Sequence, residues 1–285
     1  MSADTSGSGG RRAAVLGSPI AHSRSPQLHL AAYRELGLTD WTYDRIECTG
    51  EQLPALVGGF GPEWVGVSVT MPGKFAALRF ADERTARAEA VGSANTLVHT
   101  AAGWRADNTD IDGVIGALTS GPDPGAAPGA FGQSDAVVVG SGGTAPAAVA
   151  ALAQLGVTRM AIAARNPANA ARLVELASTL GIESRWCDID DAAALSRAVA
   201  GAAVTVSTIP AEAAAPYAPV LAATPILLDA IYDPWPTPLA AAVAHAGGRV
   251  ISGLQMLLHQ AFTQVEQFTG LPAPKEAMGA ALVGG

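Results

Sequence analysis

The chain has 285 residues, 49% of them hydrophobic, and a formal net charge of −8 at pH 7. This length is enough for two domains with a core each, and the acidic balance argues against a nucleic-acid partner, because phosphate binding needs a basic surface. Two cysteines are too few for a disulfide framework or a cysteine metal cluster. Residues 1–10 lack the apolar stretch of a signal peptide, and no run of about 20 apolar residues predicts a membrane span, so we expect a cytoplasmic protein.

The first part of the chain alternates between strand-like and helix-like patterns. Ser25 and Pro26 indicate a helix start, with serine as the N-cap and proline as the first helical residue. Because strands and helices alternate, we predict a mostly parallel sheet covered by helices. The predicted strands cover residues 13–16, 42–46 and 65–69, the predicted helices cover 25–36 and 75–89, and 96–99 is expected to pair with 103–105 in a hairpin.

A segment rich in glycine, proline and alanine, residues 118–134, predicts a loop between two domains. The chain ends with an amphipathic helix, 254–268, which stops before Gly270. The pattern leaves open whether this helix stays with the second domain or returns to the first. Between these two segments, the predicted strands cover 136–139, 160–164, 204–207, 226–229 and 249–251, and a predicted helix covers 144–155.

A glycine fingerprint follows the first strand of the second domain and opens a helix, which is the context that dinucleotide binding requires. Gly140 permits a tight turn, Gly142 lets the backbone approach a pyrophosphate, and Ala145 lets the helix pack on the strand. The free N–H groups of the helix would then bind the phosphates. The alternative, a simple turn, is disfavoured by this context. The predicted cofactor contacts here are Gly140, Ser141, Gly142, Gly143, Thr144 and Ala145.

The residues that follow the next strand predict which dinucleotide is used. An acidic residue there holds the ribose hydroxyls of NAD, whereas an arginine pairs with the 2′-phosphate of NADP. This chain has Arg165 followed by Asn166. A charged hydrogen bond contributes about 1.5–3 kcal/mol, so we predict NADP. The alternative is a surface arginine that covers the helix.

Polar side chains also mark the first domain. Ser23 and Ser25 lie at a helix start, where hydroxyl and N–H groups favour a carboxylate; the alternative is that Ser25 only caps the helix. Lys74 lies in the first turn of the next helix, where the helix dipole disfavours a cation. We therefore predict a chemical role for Lys74 instead of a solvated surface position. With Asp110 after a later strand, these residues predict an enzyme.

Taken together, these segments resemble the shikimate dehydrogenases, in the family's order, from about residue 15 to residue 262. The matching segments are Ser23-x-Ser25-Pro26, Val69-Thr70-x-Pro72-x-Lys74, Ala94-Asn95-Thr96, Asn108-Thr109-Asp110, Gly140-Ser141-Gly142-Gly143, Tyr232-Asp233-Pro234 and Gly253-x-x-Met256-Leu257-x-x-Gln260. The resemblance implies reduction of 3-dehydroshikimate to shikimate by NADPH in aromatic amino-acid biosynthesis. We predict an α/β fold with a substrate domain of mostly parallel sheet, residues 11–110 plus 254–285, and a Rossmann domain, residues 111–253. The family also implies a homodimer.

The resemblance implies roles for individual residues. Ser23 and Ser25 hold the substrate carboxylate, with Tyr232 beside them. Hydride addition leaves an alkoxide that needs a proton, and the residue types leave open whether Lys74 or Asp110 supplies it. The family implies that the terminal helix returns to the first domain. The remaining implied contacts are Thr70, Asn95 and Gln260 around the ring and its carbonyl, with Ala230 and Gly253 at the nicotinamide.

The chain departs from the family pattern in three places. Ser68 stands where the family commonly has asparagine, and Ser207-Thr208-Ile209-Pro210 replaces the usual Asn-Ala-Thr-Ser. Ala164-Arg165-Asn166 replaces the usual Asn-Arg-Thr, and the lysine that follows it in the family is missing, so we expect a weaker preference for NADP than is typical. Two alternatives stay open: a quinate/shikimate dehydrogenase that uses NAD, and a non-catalytic protein that senses a metabolite in the same pocket. The five histidines show no ligand spacing with acidic or cysteine partners, so no metal site is predicted.

Overall fold

The computed structural model describes residues 10–120 and 131–283. They form two compact units: one extends to Thr109 and includes the residues from Ala261 onward, and the other is Asp110–Gln260. Most of the predicted connection at 118–134 lies outside the described residues, as does most of the N-terminal segment 1–10. The first two residues of that predicted connection complete a helix instead.

The elements of the described residues are numbered in chain order. The strands are β1 (Arg12–Gly17), β2 (Thr42–Glu47), β3 (Trp64–Val69), β4 (Glu83–Arg84), β5 (Thr96–Thr100), β6 (Gly103–Asp107), β7 (Asp135–Val139), β8 (Arg159–Ala164), β9 (Glu183–Asp188), β10 (Ala202–Ser207), β11 (Ile226–Asp229) and β12 (Arg249–Ser252). The helices are α1 (Ser25–Glu35), α2 (Leu53–Gly58), α3 (Lys74–Phe80), α4 (Ala86–Val91), α5 (Asp110–Thr119), α6 (Ala145–Gln154), α7 (Pro167–Thr179), α8 (Ala192–Ala200), α9 (Ala211–Ala214), α10 (Ala218–Leu221), α11 (Pro238–His245), α12 (Gly253–Thr269) and α13 (Lys275–Val283).

The N-terminal unit contains a mixed sheet with the strand order β2-β1-β3-β5-β6-β4. Strands β2, β1 and β3 are parallel, and β4 is parallel to β6. The predicted hairpin is confirmed as β5 and β6, which are antiparallel to each other, and β5 is antiparallel to β3. The sheet places the carboxyl ends of β1 and β3 beside the start of β5, at one edge.

The core of this unit lies on both faces of the sheet, as the alternation of side chains along a strand requires. In β1, Ala13 and Val15 contact the cluster that contains Tyr33 and Phe268. Their neighbours Ala14 and Leu16 contact the cluster on the other face. Both faces are therefore buried, which explains why β1 is a continuous apolar run.

The prediction of one continuous helix over 75–89 is wrong. This segment instead contains most of α3, the short strand β4 and most of α4. The chain leaves α3 at Ala81 with an extended conformation (φ −64°, ψ 140°), and β4 pairs with β6. Helix α4 then has its own N-cap, since the Thr85 side chain accepts a hydrogen bond from the Ala88 N–H. Sheet pairing and a local cap outweigh the helical periodicity.

The second unit contains a parallel sheet with the strand order β12-β11-β10-β7-β8-β9. This is the doubly wound order of dinucleotide-binding folds, in which ligands bind at the carboxyl edge where the order reverses. Here the reversal lies between β7 and β10. The predicted α/β class with a Rossmann domain is confirmed. None of the described helices is long and apolar enough to cross a membrane.

Candidate active site

The loops that follow β1 and β3 are in close contact at the edge of the N-terminal sheet. The Thr70 N–H donates to the Leu16 carbonyl oxygen (2.8 Å), and the Ser18 N–H donates to the Met71 carbonyl oxygen (3.0 Å). A Cβ on Gly17 would collide with the Thr70 side chain and lie 2.9 Å from the Met71 oxygen. Glycine at the end of β1 therefore allows the approach that places Thr70 beside the loop to α1.

The two predicted carboxylate-binding serines lie at the start of α1, but Ser25 is not its N-cap. Arg24 occupies the N-cap position, without a side-chain cap, and Ser25 is the first helical residue and is buried. The Ser25 N–H donates to Ser23 Oγ (3.3 Å). Arg45 holds the loop from β2, because its Nε donates to the Ser23 carbonyl oxygen (2.8 Å). The alternative role of Ser25 as a simple cap is thus wrong.

Lys74 is the first residue of α3, directly after the edge of β3, and is 8% exposed. The alternative interpretation, in which Lys74 is a solvated surface residue, is therefore wrong. The Lys74 carbonyl oxygen accepts a hydrogen bond from the Ala94 N–H (3.0 Å). That bond joins the start of α3 to the segment that carries Asn95.

Asn95 has a fixed amide orientation. Its Oδ1 accepts from the Thr109 N–H (2.7 Å) and from Thr96 Oγ1 (2.9 Å), and its Nδ2 donates to Thr109 Oγ1 (2.9 Å). A backbone N–H can only donate, so the oxygen of the amide must face Thr109 N. The amide oxygen of Asn95 is therefore engaged within the protein.

In the second unit, the glycine fingerprint forms the turn between β7 and α6. Gly140 has φ +108°, and a Cβ there would lie 2.6 Å from Thr208 Oγ1 and from Ile209 Cγ2. A Cβ on Gly142 would meet no heavy atom within 4 Å. The turn thus leaves the backbone at Gly142 open to a ligand, as pyrophosphate binding requires. Ala145 is fully buried, consistent with close packing of α6 on the sheet.

Arg165 and Asn166 follow β8 at the same edge of this sheet. Asn166 is the N-cap of α7, and its Oδ1 accepts from the N–H groups of Ala168 (2.9 Å) and Asn169 (3.2 Å). Arg165 is exposed. The local structure therefore accounts for Asn166 without a cofactor, whereas it gives Arg165 no comparable structural role.

The remaining predicted residues of this unit lie at its other strand ends and on two packed helices. A Cβ on Gly253 would lie 2.5 Å from the Ala230 carbonyl carbon, so the start of α12 closely approaches the residue after β11. Tyr232 lies two residues further on and is half-buried. Asp110 begins α5, which approaches α12 at Gly113: a Cβ there would lie 3.1 Å from Gln260 Cβ.

Comparisons with known proteins agree with this geometry. Residues 15–97 match the shikimate dehydrogenase substrate binding domain, 136–249 match the saccharopine dehydrogenase NADP binding domain, and 253–283 match the shikimate 5'-dehydrogenase C-terminal domain. The chain is 36% identical over 276 residues to a shikimate dehydrogenase (NADP+) of Anaeromyxobacter sp. (strain Fw109-5), covering 94% of each protein. The chain belongs to the shikimate dehydrogenase (NADP+) family.

Solved structures of other shikimate dehydrogenases have the same fold. The crystal structure from Mycobacterium tuberculosis is 70% identical, with a TM-score of 0.88 over 96% of this chain and 99% of that chain. A Thermus thermophilus enzyme in complex with NADP(H) and shikimate is 27% identical, with a TM-score of 0.75 over 95% and 98%. The predicted family, enzyme class and NADP cofactor are confirmed.

Sequence reasoning missed a buried polar layer in this shikimate dehydrogenase-family chain. It is formed by His29, Tyr43 and Gln264, with Ser68 at its centre. The sequence carries one signal for this layer, which is a spacing of four residues on a helix. His29 follows Ser25 and Gln264 follows Gln260 at this spacing, so each lies one turn after a predicted site residue and on the same helix face. In the described residues, no group of three or more His, Cys, Asp or Glu could hold a metal ion.

Burial sets the protonation of this layer. It lowers the pKa of His29 to about 3, against a hydrogen bond with Gln264 that raises it. Burial also raises the pKa of Tyr43, and the hydrogen bonds of its hydroxyl with Ser68 and Ser25 oppose the shift. His29 is therefore neutral and Tyr43 keeps its proton at neutral pH. The layer therefore carries no charge at neutral pH.

Proposed function

We propose that this chain reduces 3-dehydroshikimate to shikimate with NADPH. The observation that carries the proposal is a buried lysine at the carboxyl edge of the substrate-domain sheet, in a chain whose two ends match shikimate dehydrogenase models. The relative from T. thermophilus in complex with NADP(H) and shikimate supports this pair of ligands.

In this proposal, residues 11–110 with 254–285 bind the substrate, and residues 111–253 bind the cofactor. Ser23 and Ser25 hold the substrate carboxylate, with Tyr232 beside them. The support is the hydroxyl-rich start of α1, where backbone N–H groups and the helix dipole favour an anion.

The ring of the substrate needs donors and acceptors for its hydroxyls. Asn95 supplies an N–H donor, because its amide oxygen is already held by Thr109. Thr70 and Gln260 contact other ring oxygens. Asp110 accepts a hydrogen bond from a ring hydroxyl, and its place in the first turn of α5 is favourable for a carboxylate.

The reaction requires one proton from the protein. NADPH supplies a hydride when bound, and the carbonyl oxygen that becomes an alkoxide must then be protonated. Lys74 supports both needs: its charge stabilises the developing negative oxygen, and its ammonium group can give up the proton. Asp110 is the alternative proton carrier.

The cofactor contacts are proposed along the carboxyl edge of the parallel sheet. The backbone of the turn at 140–145 binds the pyrophosphate, with Gly142 as the point of closest approach. Arg165 pairs with the 2′-phosphate and Asn166 orients the turn beside it. Ala230 and Gly253 approach the nicotinamide. The open space at Gly142 and the exposed guanidinium of Arg165 support these roles.

The first test is absorbance of reduced nicotinamide with purified protein, shikimate and NADP+, repeated with NAD+ and with quinate. Turnover confined to shikimate and NADP+ is the expected result. Turnover with quinate and NAD+ would instead make the chain a quinate/shikimate dehydrogenase. Binding of NADP+ without turnover of any pair would make it a metabolite-sensing protein.

The catalytic role of Lys74 has a matched control, because the chain contains one other lysine, the exposed Lys275. Loss of a positioned acid typically costs about 10²–10⁴-fold in rate, so we expect Lys74→Met to lower kcat by that factor. Lys275→Met should keep wild-type kcat. If Lys74→Met raises only KM, Lys74 binds the substrate and Asp110 becomes the proton carrier, which a loss of kcat in Asp110→Asn would then establish.

We also propose a cytoplasmic location and a homodimer. The two cysteines, Cys48 and Cys187, are buried free thiols, as is usual in a reducing compartment. The dimer rests on the family resemblance, and light scattering of the purified protein tests it directly.

A further inference from the structure

One buried amide connects three elements that carry proposed substrate contacts. Gln264 lies on α12 and is fully buried. Its Nε2 donates to the Asn95 carbonyl oxygen (3.2 Å) and to Thr96 Oγ1 (2.9 Å). Its Oε1 accepts from Ser68 Oγ (2.7 Å) on β3 and lies 3.3 Å from His29 Nε2 on α1.

The chemistry of the partners fixes every proton in this cluster. The Asn95 carbonyl can only accept, so the NH₂ group of Gln264 must face it and the Gln264 oxygen must face Ser68 and His29. His29 therefore carries its proton on Nε2. Its Nδ1 is buried without a hydrogen-bond partner, which agrees with a neutral imidazole. Tyr43 completes the chain by donating to Ser68 Oγ (2.6 Å).

This arrangement holds residues that have proposed roles in substrate binding. Asn95 is held through its own backbone, and its side chain is fixed by Thr109 and Thr96. On the other side, His29 lies one turn after Ser25 on α1 and stacks on Tyr43 with a centroid distance of 4.0 Å. Gln264 thus connects the start of β5 to α1 through side-chain hydrogen bonds.

We infer that Gln264 is a positioning residue for the substrate site: it aligns the donor of Asn95 with the carboxylate-binding start of α1 without touching the substrate. This inference rests on the proposed function.

The helix offers a matched control three residues further on. Gln267 also lies on α12 and donates to a buried carboxylate, that of Asp107. Asp107 is held by Arg87, whose Nε donates to Oδ1 (2.7 Å), and by Thr85. Loss of the Gln267 amide therefore disturbs a second polar cluster on the same helix. That cluster reaches Asn95 only through the backbone, because the Asn95 N–H donates to the Asp107 carbonyl oxygen (3.2 Å), and Gln267→Met leaves this bond in place.

The experiment compares Gln264→Met with Gln267→Met in the full chain, because methionine keeps the length of the side chain and removes its hydrogen bonds. Both variants should melt at a lower temperature. Only Gln264→Met should raise the KM and the calorimetric Kd for shikimate, by tenfold or more, while the KM for NADP+ stays within twofold of wild type. Gln267→Met should leave both KM values within twofold.

A second variant, Gln264→Glu, tests the direction of the hydrogen bonds. A buried carboxyl group stays neutral to higher pH than usual and can then donate one proton to the Asn95 oxygen. Once ionised, it places a negative oxygen against that carbonyl. The KM for shikimate of Gln264→Glu should therefore rise with pH relative to wild type, and the KM of Gln264→Met should not.

Two results would overturn the inference. One is a lower melting temperature in both Gln264 variants with a wild-type KM for shikimate, and the other is an equal rise in KM for both substrates. Failure of the proposed function is distinguishable, because wild-type protein would then neither bind nor oxidise shikimate, and both proposals would fall together.

Discussion

Gly253 and Ala230 approach each other so closely that no side chain fits between them. A Cβ on Gly253 would lie 2.5 Å from the Ala230 carbonyl carbon and closer still to its oxygen. The Gly253 N–H also donates to the Ile231 carbonyl oxygen (3.3 Å). The start of α12 is therefore fixed against the loop that leaves β11, which is where we propose that the nicotinamide binds.

Gly253→Ala is expected to push the Ala230 segment out of place. Overpacking of this kind destabilises by about 1–3 kcal/mol, and we expect the KM for NADP+ to rise by at least tenfold as the backbone at Ala230 moves. Urea unfolding and steady-state kinetics measure the two effects. Gly201→Ala is the control, because its nearest contact would be Asp135 Oδ2 at 3.7 Å. Equal NADP+ kinetics in both variants would remove Ala230 and Gly253 from the cofactor site.

Alanine substitutions at the two glycines of the fingerprint should have different effects, one on stability and the other on NADP+ binding. Gly140→Ala combines φ +108° with a Cβ 2.6 Å from Thr208 Oγ1, so we expect it to destabilise the fold by about 1–3 kcal/mol. Gly142→Ala has open space around its Cβ and should change the free energy of unfolding by less than about 0.5 kcal/mol. Its methyl group would nevertheless occupy the proposed pyrophosphate position and raise the KM for NADP+ tenfold or more. Unchanged NADP+ affinity in Gly142→Ala would mean that the phosphates bind elsewhere.

Most strands followed from the sequence pattern, whereas several helices, among them α2, α7, α8, α11 and α13, were not predicted. The buried strands of both sheets are apolar runs, so their positions were predictable. Strand β9 was not predicted, because it is an edge strand whose residues are mostly exposed and polar. The helix predicted at 75–89 is interrupted because β4 pairs with β6, residues about 20 positions away. Such pairing leaves no local signal in the sequence.

The site was predictable where a residue type is unusual for its local position. Lys74 at a helix start and Gly142 in a strand–turn–helix context both carried such a signal. Gln264 did not, because a glutamine on an amphipathic helix is ordinary. Its importance comes from partners on β3, β5 and α1, which only the tertiary structure brings together.

Arg165 decides the choice of cofactor in the proposed function. A charged hydrogen bond to the 2′-phosphate contributes about 1.5–3 kcal/mol, which is about ten- to a hundredfold in affinity. Arg165→Asp is therefore expected to lower the ratio of kcat/KM for NADP+ over NAD+ by at least tenfold. Arg172→Asp makes the same charge change at an exposed position of α7 and should leave the ratio within twofold. An unaltered ratio in Arg165→Asp would assign the 2′-phosphate to another group.

His29 should make the stability of the fold depend on pH. Burial lowers its pKa from 6.5 to about 3, so as the pH falls the unfolded chain takes up a proton before the folded one does. The contribution of neutral His29 to the free energy of unfolding is therefore complete above pH 6.5 and is lost as the pH falls toward about 3. Its slope approaches about 1.4 kcal/mol per pH unit.

Urea unfolding between about pH 6.5 and pH 4.5 isolates this histidine from most carboxylates, which titrate lower. His29→Gln should be less stable than wild type at pH 7, since its stacking on Tyr43 is lost, but its free energy of unfolding should fall less steeply as the medium is acidified. His245→Gln, at an exposed position on α11, controls for the removal of a histidine as such. If the free energy of unfolding of His29→Gln depends on pH as steeply as that of wild type, His29 does not resist protonation in the folded state. The assignment of a neutral His29 hydrogen-bonded to Gln264 would then be wrong.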